Sequence, residues 1–188
     1  MKRKIRVGLD FDGVIAYNPF RIVRAPVSFI KKRLLGYRKL SFYYPQTDFQ
    51  KMIWKLLHES SVFPARGMSL LAEMIERDLV EAHLITARYS FLDEDLSVWL
   101  KKYNVKHLFK SINSNKKNEQ PHLFKERIVH NYNLDIYIED NLDIVKHLHK
   151  STSAKIYWVY NLLDRNYPHP HKYPYLEKAL EDIMKSVG

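Results

Sequence analysis

Two aspartates, Asp10 and Asp12, directly follow the first short, β-branched segment of the chain, residues 4–9. A carboxylate can act as a nucleophile, which toward a phosphate ester splits hydrolysis into two steps through an aspartyl-phosphate. A second carboxylate can protonate the leaving alkoxide and later deprotonate water. In an extended Asp-x-Asp segment, both side chains turn to the same side of the chain. The spacing therefore fits a nucleophile at Asp10 and a general acid–base at Asp12.

Further reactive side chains stand where later apolar segments end. A threonine closes the segment 80–85, an acidic pair closes 136–138, and a lysine lies fourteen residues before the first acid of that pair. Because a carboxylate and a phosphate ester are both anions, their approach requires positive charge at the site. Mg²⁺ supplies such charge with carboxylate, phosphate and water oxygens as its ligands. The candidates besides the two aspartates are Thr86, Ala87, Arg88, Lys125, Glu139, Asp140 and Asp143.

Strand and helix patterns alternate along most of the chain. Short apolar segments predict strands, and apolar residues at helical spacing predict helices. The predicted strands are 4–9, 80–85, 105–109, 136–138 and 154–160, and the segments 111–120 and 161–174 are predicted to be irregular. The predicted helices are 68–77, 91–103 with Ser90 as N-cap, 122–131 with Pro121 in its first turn, 142–149 and 176–186.

This alternation predicts an α/β fold, a three-layer doubly wound parallel sheet with right-handed crossovers. In such a sheet, ligands bind beyond the carboxyl ends of the strands. The candidate residues follow predicted strands or lie on the helix that precedes one. We therefore expect them to meet at one edge of the sheet.

The string Asp10-Phe11-Asp12-Gly13-Val14-Ile15 resembles the first motif of the haloacid-dehalogenase superfamily. Thr86, Lys125 and the pair Glu139-Asp140 resemble its second, third and fourth motifs, and all occur in the family order. The Asp-x-Asp-Gly-Val start and the Thr-Ala-Arg string look most like the cytosolic 5′(3′)-deoxyribonucleotidases and their uncharacterised bacterial relatives. The dehalogenases of the superfamily lack the second aspartate, so its presence favours phosphoryl chemistry.

The resemblance implies a magnesium site with carboxylate ligands. Asp10 and Asp140 would bind the ion through their carboxylates, and Asp12 through its backbone carbonyl. Glu139 and Asp143 would act through water or by orienting the other ligands. The expected cofactor is therefore Mg²⁺.

The resemblance also implies which residues hold the phosphoryl group. Lys125 would place a fixed positive charge beside the nucleophile, with Lys116 and Lys117 as alternatives. Thr86 and the backbone N–H of Ala87 would donate to phosphate oxygens. Arg88 is open between binding the substrate and pairing with a surface acid.

Residues 17–66 differ from the rest of the chain in charge. They carry ten basic and two acidic residues, a net charge of +8 out of +10 for the whole chain. Residues 47–50 form a predicted capping box, which Phe49, Ile53, Leu56 and Leu57 follow at helical spacing, and 28–35 is a second predicted helix. In the superfamily, an insert at this place is a cap over the site. We therefore expect a catalytic core of 1–16 and 67–188 and a small basic helical cap of 17–66.

These patterns predict a cytoplasmic, Mg²⁺-dependent phosphatase that acts on a small phosphomonoester, above all a nucleotide. A basic cap also suits nucleic acid or an anionic membrane surface. Two alternatives stay open: a phosphatase for nucleic-acid ends, and a binding module without turnover. The sequence leaves the oligomeric state open.

Other side chains point to simpler roles. Cysteine is absent, which excludes disulfides and thiolate metal sites and fits a reducing compartment. No apolar window reaches the length of a membrane-spanning helix. His147 and His149 are two residues apart and so do not share a helix face, and the sequence predicts no histidine metal site. The three tryptophans are predicted to pack in the core or the cap: Trp54, Trp99 and Trp158.

Overall fold

A parallel sheet of six strands forms the centre of the molecule. The structure is a computed structural model, and it describes residues 3–17, 42–59, 63–162 and 164–187, without the side chains of 56–59 and 187. The strands of the sheet lie in the order β5-β4-β1-β6-β7-β8, and each neighbouring pair is parallel. A separate antiparallel pair joins β2 to β3. The strands are β1 (Ile5–Asp10), β2 (Ala16–Tyr17), β3 (Phe63–Pro64), β4 (Val80–Tyr89), β5 (Ser111–Asn115), β6 (Ile136–Glu139), β7 (Lys155–Val159) and β8 (Lys172–Tyr173).

Helices cover both faces of the six-stranded sheet. The helices are α1 (Asp48–Glu59), α2 (Met68–Glu76), α3 (Asp93–Lys102), α4 (Pro121–Asn131), α5 (Leu142–Ser151) and α6 (Leu176–Val187). On one face, α2, α3 and α6 bury residues such as Leu71, Leu100 and Leu180 in a shared apolar cluster. On the other face, α4 and α5 bury Phe124 and Val145 in a second cluster. This three-layer arrangement confirms the predicted fold class.

The central strand, β1, is held tightly between its neighbours. Val7 and Leu9 are fully buried in the first apolar cluster. Gly8 faces the second cluster, where an added Cβ would lie 2.5 Å from Leu134 Cδ1 and 2.7 Å from Tyr137 Cδ2. A glycine therefore lets the second cluster pack against the strand that carries Asp10.

The sheet departs from the sequence prediction at its polar edge. Residues 111–120 were predicted to be irregular, but Ser111–Asn115 form β5. The predicted strand at 105–109 contains a short 3₁₀ turn, Lys106–Leu108. Val105 and Phe109 are buried there, so their apolar character indicates burial rather than a strand. The prediction for 161–174 also missed β8, a short strand beside β7.

The entry into α3 also differs from the prediction. Ser90 was expected to be the N-cap, but it begins a 3₁₀ turn, and α3 starts at Asp93 without a side-chain cap. Ser90 instead accepts and donates hydrogen bonds with the side chain of Asn118. The acidic first turn of α3, predicted from Asp93, Glu94 and Asp95, is present.

The predicted insert is described only in part. The strand pair β2–β3 brings Tyr17 beside Phe63, so the two ends of the insert lie together. The predicted capping box is present, because Thr47 Oγ1 accepts from Gln50 N–H and Gln50 Oε1 from Thr47 N–H. The predicted apolar face of α1 is not buried where its side chains are described, since Phe49 is 66% and Ile53 41% exposed. The predicted helix 28–35 lies outside the described residues.

In the described part of the insert, residues 42–55 contact the helices and strands around the sheet through hydrogen bonds, ring contacts and an ion pair. Phe42 N–H donates to Gln120 Oε1 at 2.8 Å, and the Tyr89 hydroxyl donates to the Tyr43 carbonyl at 3.1 Å. Lys55 of α1 lies 3.3 Å from Asp95 of α3. Among the helices that the structure describes, none combines the length and apolarity of a membrane span.

Of the three tryptophans, Trp158 is fully buried and Trp99 nearly so, as predicted. Trp54 is half-buried, and its ring lies 6.0 Å from that of Tyr43.

Candidate active site

The carboxyl ends of three neighbouring strands bring the predicted acidic residues together. β1 lies between β4 and β6, and the register places Asp10 opposite Ile85 and Leu9 opposite Ile138. Asp10 therefore stands at the level where β6 ends in Glu139. The side chains of Asp10, Glu139 and Asp140 are all buried, and one oxygen of each lies within 4.8 Å of the others.

Lys125 of α4 reaches into this group. Its ammonium nitrogen lies 2.9 Å from Asp10 Oδ1 and 2.7 Å from Glu139 Oε2, and all three side chains are buried. The alternatives, Lys116 and Lys117, are exposed residues after β5. The structure therefore brings Lys125 to the predicted nucleophile, as its spacing before Glu139 suggested.

Burial and neighbouring charge shift the ionisation of this group. Burial raises the pKa of Asp10 well above its usual range, and Glu139 raises it further, whereas Lys125 lowers it. Burial lowers the pKa of Lys125, but the carboxylates of Asp10 and Glu139 outweigh this and raise it above its ordinary value. Lys125 is thus a fixed cation in the site.

The hydrogen bonds of Glu139 and Asp140 divide their roles. Glu139 accepts from Lys125 through Oε2 and from the backbone N–H of Asn141 through Oε1, so both of its oxygens are engaged. The carbonyl of Asp140 accepts from the indole N–H of Trp158 at 3.2 Å, which fixes the backbone behind its carboxylate. Glu139 therefore orients Lys125, while a carboxylate oxygen of Asp140 lies within 4.8 Å of one of Asp10.

Asn141, which the sequence analysis did not select, sets the start of α5. Its Oδ1 accepts from the backbone N–H groups of Asp143 and Ile144, as an N-cap does. An Asn before a helical segment is the signal that could have found it. Asp143 lies in the first turn of this helix, half-buried and outside the group of three carboxylates.

The residues of the site fit a divalent cation. In the part of the chain that the structure describes, the group close enough to share one ion consists of Asp10, Glu139 and Asp140 and contains no histidine. The buried charged residues here are four carboxylates, including Asp12, and two cations, Lys125 and Arg88. Carboxylate oxygens are ligands that a hard divalent cation such as Mg²⁺ prefers.

Asp12 has a different partner from Asp10. The Nε and Nη2 groups of Arg88 donate to its two carboxylate oxygens at 2.8 and 2.7 Å, and both side chains are buried. Burial lowers the pKa of Arg88, but the charge of Asp12 outweighs it and raises the pKa above the ordinary value. Arg88 pairs with an acid, but this acid is the buried Asp12 and not the surface residue that the sequence left open.

Thr86 and Ala87 lie on β4, beside Asp10. Thr86 is one residue beyond the pair of Ile85 with Asp10 and is buried. Its Oγ1 accepts from the backbone N–H of Arg88 at 3.2 Å. The hydroxyl and the Ala87 backbone therefore stand at the same edge of the sheet as Asp10.

Comparison with known proteins shows which solved structures share this fold. No family model matches the sequence, and no curated protein matches it either. A haloacid-dehalogenase-superfamily hydrolase from Ehrlichia chaffeensis is similar in structure with a TM-score of 0.57 and 13% identity, over 100% of both chains. CbbY from Rhodobacter sphaeroides, solved in complex with phosphate, has a TM-score of 0.59 and 10% identity, over 94% of this chain and 98% of that one.

A third solved structure is a predicted phosphoglycolate phosphatase from Haemophilus somnus, with a TM-score of 0.55 and 9% identity, over 97% of this chain and 98% of that one. At such identities the similarity concerns the fold. The chain therefore has the α/β fold found in hydrolases of the haloacid-dehalogenase superfamily.

Proposed function

We propose that this chain is a Mg²⁺-dependent phosphatase that hydrolyses a phosphomonoester through an aspartyl-phosphate on Asp10. The observation that carries the proposal is the contact of Lys125 with two buried carboxylates, Asp10 at 2.9 Å and Glu139 at 2.7 Å. Asp140 belongs to the same buried group. Solved structures of this fold include a hydrolase and a predicted phosphatase, which supports hydrolytic chemistry.

In the first step, a carboxylate oxygen of Asp10 attacks phosphorus, and the bond from phosphorus to the leaving oxygen breaks. Asp12 protonates that oxygen, while Lys125, Thr86 and the backbone N–H of Ala87 hold the oxygens of the phosphoryl group. In the second step, water attacks phosphorus, its proton passes to Asp12, and Asp10 leaves as a carboxylate.

Asp10, Asp140 and the backbone carbonyl of Asp12 are the proposed protein ligands of the metal. When bound, Mg²⁺ neutralises the charge of the carboxylates and of the phosphate. Glu139 positions Lys125 through its direct contact. Asp143, in the first turn of α5, would act through water or by orienting the other ligands. Burial of the group keeps water from screening these charges.

We propose a nucleotide-like substrate and a cap formed by residues 17–66. The charge of +8 on this insert favours an anionic substrate larger than inorganic phosphate. The finer resemblance to the deoxyribonucleotidases supports a nucleotide. The substrate test also covers two alternatives. The protein could hydrolyse the phosphate at a nucleic-acid end, or it could bind nucleic acid or membrane without turnover.

The test is hydrolysis of para-nitrophenyl phosphate with Mg²⁺ present and after its removal by EDTA. Asp10→Asn should lower kcat by about a thousandfold or more, since it removes the nucleophile. Asp78→Asn is the matched control, because Asp78 is exposed, pairs with Lys4, and has a positive φ that asparagine tolerates. An Asp10→Asn variant with full turnover would contradict the proposal.

The substrate is tested with mononucleotides, sugar phosphates and 5′- and 3′-phosphorylated oligonucleotides. A nucleotidase should prefer mononucleotides and respond mildly to salt. Turnover of oligonucleotide ends should weaken steeply with salt, because each phosphate contact releases counterions. Retention of oligonucleotides or anionic liposomes without turnover of any ester would favour the binding module.

A further inference from the structure

We propose that Arg88 is the positioning residue of Asp12 and that it directs the Asp12 carboxylate at the proton it exchanges. This inference rests on the proposed function. The guanidinium group donates to both carboxylate oxygens, at 2.8 and 2.7 Å, in the two-pronged geometry that fixes a carboxylate in a plane. A fork of this kind fixes the direction as well as the position of Asp12.

An irregularity in the sheet makes this contact. β4 pairs with β5 in register from His83 to Thr86, but the next pair is Tyr89 with Asn115, so the register shifts by two residues across Ala87 and Arg88. Such extra residues bend a strand and redirect a side chain. The backbone N–H of Arg88 donates to Thr86 Oγ1, which fixes the bend. Arg88 therefore reaches Asp12, two residues beyond the end of β1.

The guanidinium group of Arg88 packs on the aromatic ring of Phe11. The carbon of the guanidinium lies 4.6 Å from the centre of the Phe11 ring, and Phe11 is fully buried. The rings of Phe11 and Trp99 are nearly perpendicular, at 88°, with their centres 4.9 Å apart. Arginine stacks on aromatic rings in this way, so Phe11 limits rotation of the fork. The residue between the two aspartates thus helps to orient the second of them.

This role differs from direct binding of the substrate. A substrate-binding arginine would contact the phosphate and would act in every step that holds it. Arg88 instead has its Nε and Nη2 donors on Asp12. Its removal should therefore impair the steps in which Asp12 moves a proton and spare those in which it does not.

An aryl ester with a good leaving group separates these steps. With 2,4-dinitrophenyl phosphate, Asp10 attacks phosphorus, and the P–O bond breaks to release a phenolate that needs no proton. The value of kcat/KM reports this step. In the next step, water attacks the aspartyl-phosphate, the bond to Asp10 breaks and water gives its proton to Asp12. The value of kcat reports this second step when it is limiting.

The experiment compares Arg88→Gln and Arg88→Lys with the wild type in Mg²⁺. With the dinitrophenyl ester, both variants should lose about tenfold or more in kcat and keep kcat/KM within about threefold, with a burst of phenolate. With an alkyl phosphate, whose leaving oxygen needs a proton, kcat/KM should also fall about tenfold or more. The inhibition constant of inorganic phosphate should stay within about twofold of the wild-type value.

Arg127→Gln is the matched control. Arg127 also forms a fork on a carboxylate, that of Glu119 at 2.6 and 3.3 Å, and lies near the Phe124 ring, but this pair is more exposed. It should leave both rate constants unchanged. If Arg88→Gln lowers kcat and kcat/KM equally and weakens phosphate inhibition, Arg88 binds substrate and the proposal is wrong. Unchanged kinetics in Arg88→Gln would also overturn it.

The double variant Asp12→Asn/Arg88→Gln guards against misfolding. Loss of Arg88 alone leaves Asp12 as a buried carboxylate without its fork, whereas the double variant removes both charges. If Arg88 acts through Asp12, the double variant should match the kcat of Asp12→Asn within about threefold. A further large loss would overturn the proposal. If the wild type hydrolyses no phosphate ester, the proposed function fails, which is a separate outcome.

Discussion

The ammonium group of Lys125 lies 2.7 Å from Oε2 of Glu139, across fourteen residues that run from helix α4 to the end of strand β6. The same nitrogen contacts Asp10 of β1. One cation therefore links the helix layer to two adjacent strands at the site. Because the group is buried, the cost of desolvating each charge is offset only while the others are in place.

Lys125→Met should destabilise the protein strongly. The methionine side chain fills a similar volume, but it leaves the buried carboxylates of Asp10 and Glu139 without their shared cation. We expect a loss of about 3–5 kcal/mol in the free energy of unfolding. Urea denaturation without Mg²⁺ measures it, with Lys116→Met as the exposed control. A loss in Lys125→Met no greater than in the control would show that Lys125 contributes little to the fold.

Asn141→Ala should destabilise the start of α5. The substitution removes an acceptor for the backbone N–H groups of Asp143 and Ile144, and the loss should be about 1 kcal/mol. Asn141→Ser keeps a capping oxygen and should recover most of it. Thermal unfolding of the three proteins tests this order of stability. Equal unfolding temperatures for the alanine and serine variants would contradict a capping role.

Most of the core layers follow from apolar patterns in the sequence, but the polar edge strand β5 does not. Its side chains form hydrogen bonds instead of burying apolar surface: Ser111 pairs with His83 at 2.8 Å, and Asn113 accepts from the Tyr132 hydroxyl at 3.1 Å. A strand stabilised in this way has no alternation of apolar residues. Its existence depends on partners far along the chain, which periodicity cannot show.

The candidate site was predictable in its members but not in all its pairings. The four residues meet because they end or follow a strand or lie on a helix whose direction the alternation predicts: Asp10, Lys125, Glu139 and Asp140. The contact of Arg88 with Asp12 depends on two extra residues in β4, and a local irregularity of this kind leaves no periodic signal.

Gly8→Ala should strain the central strand. The new methyl group would meet Leu134 and Tyr137 at 2.5 and 2.7 Å, so the loss in the free energy of unfolding should be about 1–3 kcal/mol. Leu134→Ala removes the atom nearest to the new methyl group. In a double-mutant cycle measured in urea, the double variant should lose less than the sum of the two single losses. If the two losses in unfolding free energy were strictly additive, the side chain of Leu134 would not be what resists the new methyl group.

Asp182→Asn should weaken the protein at neutral pH but not in acid. The hydroxyls of Tyr173 and Tyr157 donate to Asp182 Oδ2 at 2.6 and 2.8 Å and lower the pKa of its carboxyl, with the Tyr173 hydrogen bond as the largest cause. Because the folded pKa is lower than the unfolded one, the stabilisation is present above the unfolded pKa of about 3.9 and is lost as the pH falls through the folded value.

The tyrosine hydroxyls bonded to Asp182 give stability the opposite pH dependence, because folding raises the pKa of Tyr157 and lowers that of Asp182. Burial, with the hydrogen bond to Asp182, raises the pKa of Tyr157 to about 12. Its contribution to stability is therefore complete below the unfolded pKa of about 10 and is lost as the pH rises through the folded value.

The measurement for Asp182 compares unfolding free energies at pH 7 and pH 3. The value for the wild type minus that for Asp182→Asn should be about 1.5 kcal/mol at pH 7 and shrink toward pH 3. Glu181→Gln, whose carboxylate pairs with exposed Lys178, is the control and should show a smaller difference. A difference for Asp182→Asn that stayed constant from pH 7 to pH 3 would mean that the charge of Asp182 does not stabilise the contact of α6 with β7 and β8.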